Sequence, residues 1–206
     1  MKTARFTYKD IDKAAAMLQE GGLVAFPTET VYGLAAIFDS KPAFDALVAT
    51  KKRRPDKPFT LMCATVSDIG RYAQISDLTK RIIDAILPGP LTLILPAKAC
   101  LPEWVDLKTG KVGIRVSSLQ TIQQLIFKVG KPLLVPSANK ADEPPALTGE
   151  EVFQTFDGEI GGVIFGSVVG GKPSTIIEID GDDHVKLIRQ GTLTLEEIMK
   201  KGQKQP

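Results

Sequence analysis

Short apolar runs bounded by turn residues alternate with capped amphipathic segments along the whole chain, and this alternation restricts the fold more than any other feature. Leu23–Phe26, Phe59–Ala64, Leu91–Leu95, Val112–Val116 and Leu133–Val135 have the length and composition of buried strands. Asp10 is placed to cap a helix through Ala14–Leu18, which Gly21-Gly22 stops. Ser40 and Pro42 open a second helix with Phe44, Leu47 and Val48 on one face. Ser67 and Ser76 are candidate caps for two short helices, the second ending at Pro88-Gly89-Pro90, and another helix covers Ile122–Val129. Thr148-x-x-Glu151 and Thr194-x-x-Glu197 are capping boxes and mark two more helix starts. Between those two lie strands at Gly162–Phe165, Ser174–Ile179 and Val185–Ile188, the last two nearly a hairpin. The pattern predicts an α/β fold: a single-domain open, twisted mixed sheet with flanking helices. One domain spans 1–206, with a core from about 10 to 191 and a tail at 201–206 expected to fray. The long irregular stretches, 97–111 and 139–147, are candidates for functional loops.

Composition excludes several classes of chemistry. A chain of 206 residues, 43% hydrophobic and 24% charged, can bury one substantial core. A net charge of +2 does not by itself announce a nucleic-acid binder. Cys63 and Cys100 are far apart and lack zinc or disulfide spacing. The single histidine, His184, lies in the polar stretch Gly-Asp-Asp-His-Val-Lys and reads as solvated, so a Ser–His–Asp triad and a two-histidine metal site are both unexpected. The opening Met-Lys-Thr-Ala-Arg-Phe carries no apolar signal region, and no apolar run approaches the ~20 residues of a membrane helix. The expectation is a soluble, cytoplasmic protein that makes no membrane contact.

Four segments carry candidate chemistry. Gly166–Pro173 nearly matches a phosphate loop, but Pro173 replaces the metal-binding hydroxyl and a strand-like Thr-Ile-Ile-Glu-Ile follows, so a turn between strands is the better reading. Lys51–Lys57 packs five cations into seven residues at a helix-to-strand junction, either as a solvated charge run or as a polyanion site. Pro27-Thr-Glu-Thr-Val-Tyr-Gly-Leu34 follows a buried strand. Its hydroxyls at Thr28, Thr30 and Tyr32 suit a small polar ligand, or else a turn with surface threonines. In Pro136-Ser-Ala-Asn139, an extended backbone would aim Ser137 and Asn139 to one side.

These segments, taken in order with Asp56-Lys57-Pro58, Pro88-Gly89-Pro90-Leu-Thr92, Gly113-Ile-Arg115-Val116, Ser174-Thr175 and Ile188-Arg189, resemble the YrdC-like family of L-threonylcarbamoyladenylate synthases from about Asp10 to Gly191. The chain departs from that family's pattern at Ala35, Pro173 and Gln190. The resemblance implies a concave basic cavity. It also implies a reaction in which the amine of L-threonine takes up bicarbonate or CO2, and the resulting carbamate attacks the α-phosphorus of ATP and expels pyrophosphate. The product is a donor for threonylcarbamoyladenosine in tRNA, passed to a downstream tRNA-modifying transferase complex. A substrate-borne nucleophile needs no serine, cysteine or histidine from the protein.

By resemblance, Thr28, Thr30, Tyr32, Arg115, Ser137 and Ser174 bind L-threonine, with Arg115 on its carboxylate, where a guanidinium fork fits bidentately. Lys51, Arg53, Lys57, Asn139 and Arg189 face ATP, and Lys51, Arg53, Ser137 and Asn139 carry the catalysis. Mg2+ is expected to arrive with ATP; no prosthetic group and no protein metal site are expected. Two alternatives stand beside this: a same-fold paralogue without efficient synthase activity, and a module that binds tRNA or double-stranded RNA along the basic concave surface.

Overall fold

The computed structural model describes residues 2–54 and 56–203. In chain order the elements are β1 (Ala4–Phe6), a 3-10 turn at Tyr8–Asp10, α1 (Ile11–Gln19), β2 (Val24–Pro27), β3 (Tyr32–Ile37) and α2 (Lys41–Lys51). Next come β4 (Leu61–Met62), a 3-10 turn at Val66–Asp68, α3 (Ile69–Tyr72), α4 (Asp77–Ile86), β5 (Leu91–Pro96), α5 (Glu103–Asp106) and β6 (Lys111–Arg115). The chain continues through α6 (Gln120–Val129), β7 (Leu133–Leu134), α7 (Gly149–Phe156), β8 (Gly162–Ile164), β9 (Thr175–Ile179), β10 (Val185–Arg189) and α8 (Leu195–Gly202). The strands form one mixed sheet in the order β1-β8-β2-β3-β7-β4-β6-β5-β9-β10, as the alternation of elements predicts.

The caps follow local chemistry. Ser40 accepts from the Ala43 amide, Ser76 from Thr79, and both threonine capping boxes close at Glu151 and Glu197. Two expected caps move. Thr65, with Asp68, forms a capping box in place of the cap expected at Ser67. The Asp10 carboxylate accepts from the Thr7 amide and makes no cap bond to α1.

Three expectations are corrected. The segment after β2 is a four-residue turn, and Tyr32–Ile37 is a fully buried strand paired antiparallel with β2. The irregular stretch 97–111 contains the helical turn α5. Of the tail expected to fray, Lys201 and the buried Gly202 belong to α8, while 204–206 lie outside the described residues.

Strand register decides which side chains reach the site. Leu93 pairs with both Ile114 and Ile177, which puts the leucines of β5 and the odd-numbered residues of β9 on one buried face. Thr92, Arg115, Ile176 and Glu178 alternate onto the opposite face, with Met62 beside Arg115. On β10 the register slips between Leu187 and Arg189, so that Arg189 rather than Ile188 pairs with Ile176. A one-residue slip exchanges faces, and this bulge brings Arg189 to the side of Arg115. α1 packs on α6 and α4 on α8. Among the described residues no helix is long and apolar enough to cross a membrane.

Candidate functional site

Strand ends and the segments leaving them enclose a cavity of about 160 Å3. Thr30 and Val31 reach it from the β2–β3 turn, Arg53 and Pro58–Thr60 from the segment after α2, and Arg115 from the end of β6. Val135–Ser137 follow β7, Pro173 and Ser174 precede β9, and Arg189 ends β10. Of the residues singled out in the sequence, Thr30, Arg53, Arg115, Ser137, Ser174 and Arg189 therefore meet in one place.

Three guanidiniums line this one cavity and give it the charge to receive an anion. Burial lowers the Arg53 and Arg189 pKa values, and the charge of Arg115 lowers that of Arg189 further. Arg53 donates to the Pro58 carbonyl (3.2 Å) and lies over the Phe59 ring at 5.1 Å. Arg189 donates to the carbonyl of Ser174 (2.9 Å), whose hydroxyl is 2.9 Å from that of Thr92. Among the described residues, Nε of Arg53 and Nε of Arg115 are the side-chain polar atoms buried without a partner. Native interiors rarely leave such donors unmatched, and both belong to residues lining this cavity.

The remaining sequence candidates support the wall. Tyr32 is fully buried; its hydroxyl donates to the Gly166 carbonyl (2.8 Å) and accepts from the Gly166 amide (3.0 Å), so it ties β3 to the segment after β8. Thr28 donates to the Val31 carbonyl (2.7 Å) and accepts the Thr30 amide (3.2 Å), which shapes the turn that presents Thr30. Because Thr30 Oγ1 accepts from Arg115 (2.9 Å), its own proton is left for Thr28 Oγ1 at 2.8 Å. Lys57 is exposed and outside the lining.

Lys51 and Asn139 form a clamp. Lys51 is 2% exposed, and its ammonium donates to the Ser137 carbonyl (2.5 Å), the Asn139 carbonyl (2.6 Å) and Asn139 Oδ1 (3.2 Å). Those three bonds use every donor of an ammonium group. Burial, then the charge of Arg53, bring its pKa down to about 8. Asn139 accepts from the Ser137 hydroxyl (2.6 Å), and its Nδ2 donates to the Lys140 (2.9 Å) and Glu143 (2.6 Å) carbonyls. Ser137 and Asn139 do meet across the buried Ala138, but Ser137 alone of the pair lines the cavity.

Two participants lie outside the sequence candidates. Glu29 accepts from Arg115 (2.8 Å) and Ser117 (2.5 Å), and Thr92 stands beside Ser174. A charged residue between two threonines at the end of a buried strand was a readable signal for Glu29. Thr92 closes the Pro88–Thr92 segment of the resemblance but is assigned no role there, since only strand register places it beside Ser174.

A family model for the Sua5/YciO/YrdC domain, described as telomere recombination, matches residues 16–191. The chain is 36% identical over 197 residues to a threonylcarbamoyl-AMP synthase of Bacillus subtilis (strain 168), covering 91% of this chain and 55% of the relative, so it spans about half that relative's length. The P. abyssi Sua5 structure complexed with L-threonine superposes with a TM-score of 0.89 at 32% identity, over 97% of this chain and 60% of that one. The E. coli YciO structure shares the fold, with a TM-score of 0.86 at 24% identity over 95% of this chain and 99% of that one.

Proposed function

The chain belongs to the Sua5/YciO/YrdC family, and from that premise we propose that it joins L-threonine, bicarbonate or CO2, and ATP into L-threonylcarbamoyladenylate with release of pyrophosphate. The observation that carries this reading is the convergence of Arg53, Arg115 and Arg189 with the hydroxyls of Thr30, Ser137 and Ser174 on one cavity. Two substrates bring carboxylate and phosphate charge together, and the guanidiniums supply the matching cations.

In this reading Arg115 receives the threonine carboxylate, and Thr30, Ser137 and Ser174 hydrogen-bond its hydroxyl and the carbamate. The carbamate oxygen attacks the α-phosphorus while pyrophosphate leaves on the opposite side. Arg53 and Arg189 neutralise the phosphates, and Lys57, exposed and outside the lining, is left without a role at the cavity. Lys51 and Asn139 act one step back, holding Ser137 in place. The protein contributes alignment and charge stabilisation, the main demands of phosphoryl-type transfer. No histidine or cysteine lines the cavity among the described residues, in keeping with a nucleophile carried by the substrate.

The donor set does not fit a resident metal. Glu29, the carboxylate bonded to Arg115, is already spent on Arg115 and Ser117, and among the described residues no carboxylate lines the cavity. Mg2+ fits as the counter-ion ATP brings with it. The adenylate would then serve a tRNA-modifying transferase complex. The Lys51-clamped Ser137–Asn139 pair favours the synthase over an RNA-binding paralogue of the same fold, because it spends a buried cation on positioning a hydroxyl in the cavity. Pyrophosphate release tests the reading: it should require ATP, L-threonine and bicarbonate together, and release that ignores threonine would contradict it.

A further inference from the structure

Glu29 sits in the β2–β3 turn behind Arg115, its side chain 10% exposed. Oε1 accepts from one terminal nitrogen of Arg115 at 2.8 Å, and Oε2 accepts from the fully buried Ser117 hydroxyl at 2.5 Å. Ser117 is itself anchored to the start of α6: its hydroxyl accepts from the Leu119 amide (3.3 Å) and its carbonyl from Gln123 Nε2 (2.7 Å). Burial alone would raise the Glu29 pKa; the charge and hydrogen bond of Arg115, with the Ser117 bond, outweigh it and hold the carboxyl below its usual range. The turn is tied down too, since the Glu29 carbonyl accepts the Gly170 amide at 3.0 Å.

One terminal nitrogen of Arg115 is spent on Glu29 and Thr30, which stops the fork from rotating, while Nε stays buried without a partner on a residue that lines the cavity. We propose that Glu29 and Ser117 are positioning residues that brace Arg115 so that its remaining guanidinium donors are held ready for the carboxylate of an amino-acid substrate. The inference rests on the reading of the cavity as an L-threonine site. Arg53 and Arg189 already make the cavity positive, so Glu29 contributes orientation to Arg115 at little loss of attraction for anions.

Glu29→Gln keeps an acceptor and nearly the same shape while removing the charge. The expected result is a threonine KM raised roughly tenfold, with kcat and the KM for ATP changed less than about threefold. The melting temperature should fall, because the buried pair with Arg115 is lost, so the variant is assayed below its own melting transition. Ser117→Ala, which removes one bond to the brace, should shift the threonine KM in the same direction by a smaller factor. A threonine KM that stays level or falls in folded variants overturns the proposal, as does an ATP KM that rises in step. If the wild-type protein makes no adenylate from threonine, the functional reading fails while the brace remains measurable. The Arg115 Nε–H resonance should then be sharp and slowly exchanging in the wild-type protein and broadened in Glu29→Gln, and equal sharpness in both would refute the brace.

Discussion

Lys51 shows how a residue of a basic cluster can serve a site it does not touch. The sequence reading put it on phosphate, whereas the structure spends its three donors on Ser137 and Asn139. Its folded-state pKa of about 8 lies below the ordinary 10.5. Between those values the unfolded chain holds a proton that the folded chain has released, so stability relative to a Lys51→Met variant should rise from pH 8 to 10.5, by up to about 3 kcal/mol. Denaturant melts of both proteins across that range check the sign, and a flat or falling difference would contradict the buried ammonium. The two arginines beside it divide. Arg53 lines the cavity, whereas Arg54 is exposed and paired to Asp56 at 2.5 Å. Arg53→Ala should lower adenylate formation about a hundredfold in a folded protein, since one cation on developing charge is worth ~3 kcal/mol. Arg54→Ala should change it less than about threefold, because exposed ion pairs contribute little. Equal losses in a steady-state assay would mean that the cluster acts as diffuse charge.

At the level of elements, the bulge in β10 is the device most specific to this site. Exchanging the pair, Ile188→Arg with Arg189→Ile, keeps the composition and puts the cation on the wrong face. Activity should fall as far as in Arg189→Ala, and retention of activity by the exchanged pair would show that register does not position the cation. The bulge was not legible from sequence, and Thr92 was legible only as part of a motif without a role, because periodicity reports which residues alternate and not where a ladder slips. Apart from β1 and β3, which were missed, the strands and most helices were legible because their caps and apolar runs are local signals, as at Ser40, Ser76, Thr148 and Thr194. β3 was missed for a physical reason. Tyr-Gly-Leu-Ala-Ala-Ile has few β-branched residues, so its strand state comes from pairing with β2 and β7 rather than from propensity. Gly33 there is a packing requirement, since a Cβ would collide with the Val135 side chain. The site residues divide likewise: a motif marks a segment, but only the fold separates Thr30 and Arg53 in the cavity from Tyr32 and Lys51 behind its wall.

For the whole molecule, β4–β7, β9, β10 and the β2–β3 turn, but neither β1 nor β8, bring residues to one small cationic cavity, and the proposed chemistry asks of it selectivity as well as charge. Thr30, Ser137 and Ser174 offer hydroxyls beside Val31, so under the proposed function a ligand hydroxyl would be matched and its methyl packed. Serine in place of threonine should lose only ~1 kcal/mol in kcat/KM, whereas valine leaves buried polar groups unpaired and should lose substantially more. Comparable kcat/KM for threonine and valine would contradict a hydroxyl-matched pocket. The most direct measurement of the central claim is isotope tracing. The protein is incubated with ATP, L-threonine and 13C-bicarbonate, and the products are read by mass spectrometry with the Arg115→Ala variant as control. The account predicts a threonylcarbamoyl-adenylate carrying the bicarbonate carbon, formed with pyrophosphate by the wild-type protein and abolished or strongly reduced in the variant. Pyrophosphate without a labelled adenylate, or equal labelling in Arg115→Ala, would contradict it.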